Sequence, residues 1–150
     1  MALDLYAGIP VDDYPAALAW YEKLFGAPPT FFPNDTEAVW QLADHRSVYV
    51  EHRPGHGGHA MTTLIVDDLD AVVARIADHG VAPTKRETYS NGVRKITFHD
   101  PEGNEIGFGG MPHGPRPEAT AAPDDAGDLS YDEAHGAGDP GPRMPGSPPA

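Results

Sequence analysis

The chain of 150 residues contains no cysteine. That excludes disulfides, thiolate zinc sites, iron–sulfur clusters and a cysteine nucleophile. Stability must then come from an ordinary apolar core, which suits a reducing cytoplasm. Basic residues are scarce as well: 10 Lys and Arg stand against 23 Asp and Glu, a formal net charge of −13. With no Lys/Arg run longer than two, the chain shows nothing like the basic patch of a nucleic-acid-binding surface. No apolar stretch approaches the ~20 residues that span a bilayer. The opening MALDLYAGIP has neither the positive segment nor the apolar run of a secretory signal. These absences lead to the expectation of a soluble, acidic, cytoplasmic protein of about one domain. At the level of total charge it accommodates cationic or neutral ligands more easily than phosphates.

What is present divides in two. From His113 to Ala150 there are 8 Pro, 6 Gly and 7 acids, with a single aromatic, Tyr131. Such a segment cannot bury enough surface to offset its chain entropy, so residues 113–150 are expected to form a disordered acidic tail. Residues 1–112 are then the folded domain, long enough for a modest core.

Inside that domain two segments echo each other. Val11 to Pro29 reads VDDYPAALAWYEKLFGAPP, and Val66 to Pro83 reads VDDLDAVVARIADHGVAP, an offset of 55 residues. Each has the order strand end, helix, glycine stop, new strand, which indicates duplication of one supersecondary unit. Asp13 and Asp68 stand where an N-cap carboxylate accepts from first-turn amides, and Pro15 lies where its missing N–H costs little. Leu18, Tyr21 and Phe25, like Leu69, Val72, Val73 and Ile76, recur at helical spacing and mark the expected buried faces. Gly26 and Gly80 supply the left-handed residue that ends each helix, and His79 suits a helix C-terminus.

A strand with period-2 alternation precedes each helix. Leu5, Ala7, Ile9 and Val11 fall opposite Tyr6, Gly8 and Pro10. Thr62, Leu64 and Val66 fall opposite His59, Met61, Thr63 and Ile65. Three short strands follow each helix: Thr30 to Phe32, Glu37 to Leu42 and Ser47 to Glu51 in the first half, and Pro83 to Thr88, Val93 to His99 and Glu105 to Gly109 in the second. The segments SNG (90–92) and DPEGN (100–104) are turn chemistry. Each half is thus β-α-β-β-β, with modules at about 3–52 and 59–110. No glycine-rich phosphate loop follows any strand, and Ser47 and Ser90 lack the surroundings of a nucleophile elbow.

The two βαβββ units, together with HDPEGNEIGFGG, resemble the vicinal oxygen chelate superfamily, which includes glyoxalases, bleomycin-resistance proteins and extradiol dioxygenases. The matching blocks cover about residues 3–110. The resemblance implies an α+β fold whose two modules form a cupped mixed sheet, with ligand on the concave face and a homodimer as the assembly. For enzymes of the family it also implies one divalent metal held by His, Gln or Glu at equivalent strand positions, leaving room for vicinal substrate oxygens. Tyr6 and Met61 stand where the family often has His, and Gly107 where it has Glu. Only Glu51 keeps a ligating side chain.

Two functional readings follow. In the first, the chain is a metal-free binding protein of the bleomycin-resistance kind, with no cofactor. Tyr6, Tyr49, Glu51, Met61, Thr63, Thr97, His99 and Glu105, with Gly8 and Gly107, line the concave face. Aromatics, a flexible Met and carboxylates suit a small, cationic, partly aromatic organic molecule. Trp40 is ambiguous in phase. In the second, the chain is a divalent-metal enzyme of the glyoxalase or dioxygenase type with a displaced ligand set, Glu51, His59, His99 and Glu105. His52, His56 and His59 read together as a solvated linker between modules. The Ala, Gly, Pro and Asp bias suggests a bacterial, GC-rich source.

Overall fold

The computed structural model describes residues 1–111; the expected tail, 113–150, lies outside the described residues. The order is β1 (Leu5–Val11), α1 (Tyr14–Phe25), β2 (Phe31–Asn34), β3 (Glu37–Ala43), β4 (Arg46–His52), β5 (Met61–Ile65), α2 (Leu69–Asp78), β6 (Lys85–Thr88), β7 (Arg94–His99) and β8 (Glu105–Gly110). The duplicated β-α-β-β-β pattern is therefore present, α+β in class. Most strand ends after the helices agree with the expected ones to within one residue. The exceptions have local causes: β6 starts two residues after Pro83, whose ring fixes φ and removes a donor, and β2 runs on to Asn34.

Both helices start and stop as their sequence signals require. The Asp13 carboxylate accepts from Ala16 N at 3.1 Å and that of Asp68 from Ala71 N at 3.0 Å. Gly26 ends α1 at φ +73°, its N–H donating to Glu22 O at 2.8 Å. Past α2, His79 caps the last turn with Nδ1 2.7 Å from Arg75 O, and Gly80 takes φ +83°.

Two four-stranded mixed sheets result, ordered β1-β4-β3-β2 and β5-β8-β7-β6. In each, the first strand runs parallel to the last and the remaining pairs are antiparallel. Parallel pairing needs a long crossover, and the helix supplies it. The helix-facing sides of both sheets pack into one core, with Ile9, Val11, Tyr21, Leu24, Trp40 and Val50 from the first half and Leu69, Ile76, Phe98, Ile106 and Phe108 from the second. The buried stripe of α1 is Ala17, Tyr21 and Leu24, one position away from the expected Leu18 and Phe25, which are half-buried. The helix is apolar nearly all round, so spacing alone does not choose its inner face. Trp40 belongs to this core and not to the concave face: its ring lies 5.5 Å from that of Phe25, and its Nε1–H donates to Ala27 O at 2.9 Å.

The DPEGN turn ties the halves together. Asp100 Oδ1 accepts from the amides of Glu102 and Asn104, both at 2.9 Å. The Glu102 carboxylate accepts from Asp12 N at 2.7 Å and Asp13 N at 3.1 Å, across 90 and 89 residues. Asn104, fully buried, accepts from Gly58 N and Ala60 N and donates to Pro10 O and Asp100 Oδ2, while Tyr21 OH donates to the same Oδ2 at 2.8 Å. Burial, reinforced by the neighbouring Asp100 carboxylate, pushes the Tyr21 phenol far above the ordinary tyrosine range. Every polar atom at the centre of this network is paired, as low dielectric demands.

Candidate functional site

Side chains alternate across a strand, so residues not turned to the helices lie on the opposite face of each sheet. In the first sheet, register places Tyr6, Ser47 and Gln41 in one row, Gly8, Tyr49, Val39 and Phe31 in the next, and Pro10, Glu51 and Glu37 in the third. Tyr6 is 49% exposed and Phe31 43% exposed. A methyl group built on Gly8 would come 2.7 Å from both Cζ and the hydroxyl oxygen of Tyr49, so the tyrosine ring lies over β1 in space that only glycine leaves open. Glu37 and Glu51 stand directly opposite each other on adjacent strands. At the end of this face an open depression of about 260 Å³ is lined by Asp4, Tyr6, Gln41, Asp44, His45 and Ser47. There His45 Nδ1 sits 2.5 Å from Asp4 Oδ1.

In the second sheet the rows are Met61, Glu105 and His99; then Thr63, Gly107, Thr97 and Lys85; then Ile65, Gly109, Lys95 and Glu87. Of the eight residues expected to line the concave face, Tyr6, Tyr49 and Glu51 stand in these rows of the first sheet and Met61, Thr63, Thr97, His99 and Glu105 in those of the second. His99 Nε2 is 3.3 Å from Glu105 Oε1, and its Nδ1 meets Thr84 Oγ1. The Thr84 hydroxyl also donates to Thr97 O at 3.2 Å. With its proton directed to that carbonyl, Thr84 is not an activated nucleophile, and its contact with His99 Nδ1 orients the ring.

The displaced metal set is not assembled. His59 precedes the first residue of β5 and is exposed, because Ala60 N is taken by the Asn104 side chain and the ladder starts only at Met61. Alternation therefore does not extend to it. Glu51 belongs to the first sheet, whereas His99 and Glu105 belong to the second. Among the described residues no three His, Asp or Glu side chains converge in a way that could hold a metal ion. His52 and His56 are exposed like His59.

Sequence reasoning left out one residue that dominates the second face. The Lys95 side chain crosses β8 in the space where Gly107 lacks a side chain: a methyl built there would lie 2.6 Å from Lys95 Cε, 3.3 Å from Thr63 Oγ1 and 3.6 Å from Lys95 Nζ. Its alternation with Thr97 and His99 was the available signal. Val39, Phe31 and Glu37 on the first sheet were missed in the same way, Phe31 lying on the short β2 and the other two on β3, whose phase is ambiguous in the sequence.

The family model described as the Glyoxalase/Bleomycin resistance protein/Dioxygenase superfamily matches residues 3–108. A glyoxalase/bleomycin resistance protein from Catenulispora acidiphila is 58% identical, with a TM-score of 0.72 over 74% of this chain and 100% of its own. A bleomycin-binding protein solved with bleomycin is 19% identical, with a TM-score of 0.60 over 73% of this chain and 98% of its own. Lactoylglutathione lyase from Agrobacterium tumefaciens is 17% identical, with a TM-score of 0.59 over 73% and 94%. The last two show likeness of fold alone. No curated protein matches the chain. The paired βαβββ modules, the DPEGN turn that locks them and the match over residues 3–108 agree: the chain belongs to the glyoxalase/bleomycin resistance protein/dioxygenase superfamily.

Proposed function

We propose that the chain is a metal-independent small-molecule-binding protein that sequesters a cationic, partly aromatic organic molecule on the uncovered face of its first sheet. The observation that carries this reading is the conjunction of Tyr6, Tyr49 and Phe31 with Glu37 and Glu51. Like charges directly opposite each other on neighbouring strands are mutually destabilising, and a bound cation relieves that cost. Aromatic rings beside it offer faces for stacking and cation–π contact. The fold's precedent for a small organic ligand is the relative solved with bleomycin. The lack of a convergent trio of metal donors among the described residues supports a role without metal.

Thermal-shift measurements with bleomycin and a panel of cationic aromatic compounds test the reading. A ligand at about 100 times its Kd stabilises a fold by about 2.7 kcal/mol, an easily measured rise in Tm. Tyr49→Ala and Glu51→Gln should each reduce that rise. Folded protein that responds to no member of the panel would remove the proposal.

A homodimer in the cytoplasm of a bacterial cell completes this reading. Exposed apolar surface at Phe32 and Leu42 supports association, the absence of cysteine a reducing compartment, and the Catenulispora relative a bacterial source. Light scattering reads the assembly directly.

The contact between His99 and Glu105 favours one other reading, a divalent-metal enzyme of the glyoxalase or dioxygenase type that builds its site on that pair. It requires about one Zn, Ni, Fe or Mn per chain after incubation and desalting, lost in His99→Ala. Turnover by metal-free protein would eliminate it.

A further inference from the structure

We infer that the second sheet carries an oxyanion-binding subsite centred on Lys95, which takes the carboxylate or phosphate of a small organic ligand. Lys95 is half-buried, and among the described residues no carboxylate pairs with it. Its register partner Glu87 does not neutralise it, because Lys85 Nζ already holds Glu87 Oε1 at 2.8 Å. The ammonium therefore lies across β8, flanked by hydroxyls and without a counter-ion.

Those hydroxyls are also free. Thr63 and Thr97 flank Gly107 in the same row, and neither side-chain hydroxyl has a hydrogen-bond partner among the described residues, although Thr97 is only 4% exposed. Neither hydroxyl is committed to another acceptor or donor, so both are available to an incoming ligand. Lys95, Thr63 and Thr97 are donors on one side of a floor without side chains at Gly107, and a negatively charged oxygen is the group that such donors share best. The floor is short. Ile65 Cδ1 would come 2.8 Å from a methyl on Gly109, which closes one end, and Glu105 with His99 closes the other. An oxyanion would meet the Lys95 ammonium and the Thr63 hydroxyl from the outer side of this face, with the rest of the ligand against Met61 and Ile65, which are 75% and 55% exposed.

The chain's net charge of −13 argues for cations, yet on this face, which also carries Glu105 and the Lys85–Glu87 pair, the Lys95 ammonium has no carboxylate partner among the described residues. The inference rests on reading the helix-opposite faces as ligand surfaces, but it concerns a different sheet and the opposite charge. A ligand that engages both faces would carry a cationic aromatic part and an oxyanion.

Amide NMR titrations of the full chain with benzoate and with inorganic phosphate test it. Saturable shifts confined to Lys95, Thr97, Gly107 and their neighbours are expected with at least one probe, and which one distinguishes a carboxylate from a phosphate ligand. In Lys95→Met, which keeps the length of the side chain, binding should weaken at least about tenfold. Lys95→Arg should retain most of it, and Asn91→Ala, in an exposed turn away from both faces, should leave it unchanged. Wild-type spectra that fail to saturate with either probe, or a folded Lys95→Met that binds as well as wild type, would overturn the subsite. Because bleomycin-type cations are read out at Tyr49 and Glu51, loss of one result leaves the other standing.

Discussion

Replacing Asn104 by alanine should destabilise the domain more than any substitution on its ligand faces. The side chain is fully buried and makes four hydrogen bonds, accepting from Gly58 N at 3.0 Å and Ala60 N at 2.9 Å and donating to Pro10 O at 3.0 Å and Asp100 Oδ2 at 2.8 Å. Each buried group left unsatisfied costs about 1–3 kcal/mol. Simple addition overstates the loss, because three of the four partners lie in partly buried surroundings that water can enter once the amide is gone. About 3–5 kcal/mol is expected, the range for breaking a buried network. Against a typical domain stability of about 5–15 kcal/mol, that is a fifth or more of the whole. The assay is urea unfolding of Asn104→Ala beside a control, Asn91→Ala. Asn91 accepts from Val93 N at 3.1 Å in an exposed turn, so its loss should cost under about 1 kcal/mol. If the two variants unfold alike, the DPEGN network is not what joins the modules and the reasoning fails.

Three further outcomes follow from the same geometry. The Tyr21 phenol is held far above its ordinary pKa of 10.0 in the folded chain. The unfolded chain therefore gives up this proton first, and stability should fall as pH rises past about 10, by up to about 1.4 kcal/mol per pH unit for this one group. Tyr14 is also raised, mainly by burial, so the diagnostic is the difference: Tyr21→Phe should flatten part of the alkaline decline while costing about 1 kcal/mol at neutral pH. Gly8→Ala must push the Tyr49 ring from its place over β1; weaker ligand-induced stabilisation at little cost to folding is expected, and calorimetry with a bound cation would show it. Trp40→Phe leaves Ala27 O without its 2.9 Å donor and thins the aromatic packing around Phe25, which should lower stability by about 1–3 kcal/mol in thermal unfolding.

Much of the fold was legible because its signals are local. Asp13 and Asp68 cap helices, Gly26 and Gly80 end them, and period-2 alternation separates Ile9 and Val11 from Tyr6 and Gly8 whatever the rest of the chain does. The inner face of α1 was not legible, because a helix with apolar residues on every side can bury any of several stripes. The start of β5 was not legible either. The residue types would let the strand begin at His59, and it begins at Met61 only because Asn104, 44 residues later, takes the Ala60 amide. Lys95 was visible in the alternation of β7 beside Thr97 and His99, yet nothing local says that a lysine leans over a glycine two strand positions away.

What the sequence by itself determined is therefore the duplicated β-α-β-β-β order, the ends of the helices, and the division of each strand into an inner and an outer face. All of these depend on interactions within a few residues, where propensity, capping and alternation act alone. The tertiary structure decided which donors and acceptors from distant strands meet. It separated Glu51 from His99 and Glu105, kept His59 out of the sheet, left Glu37 facing Glu51, and laid Lys95 over Gly107 without a counter-ion. Such meetings depend on register and on side-chain reach across neighbouring strands, which are set by the packing of the whole core and not by any one segment.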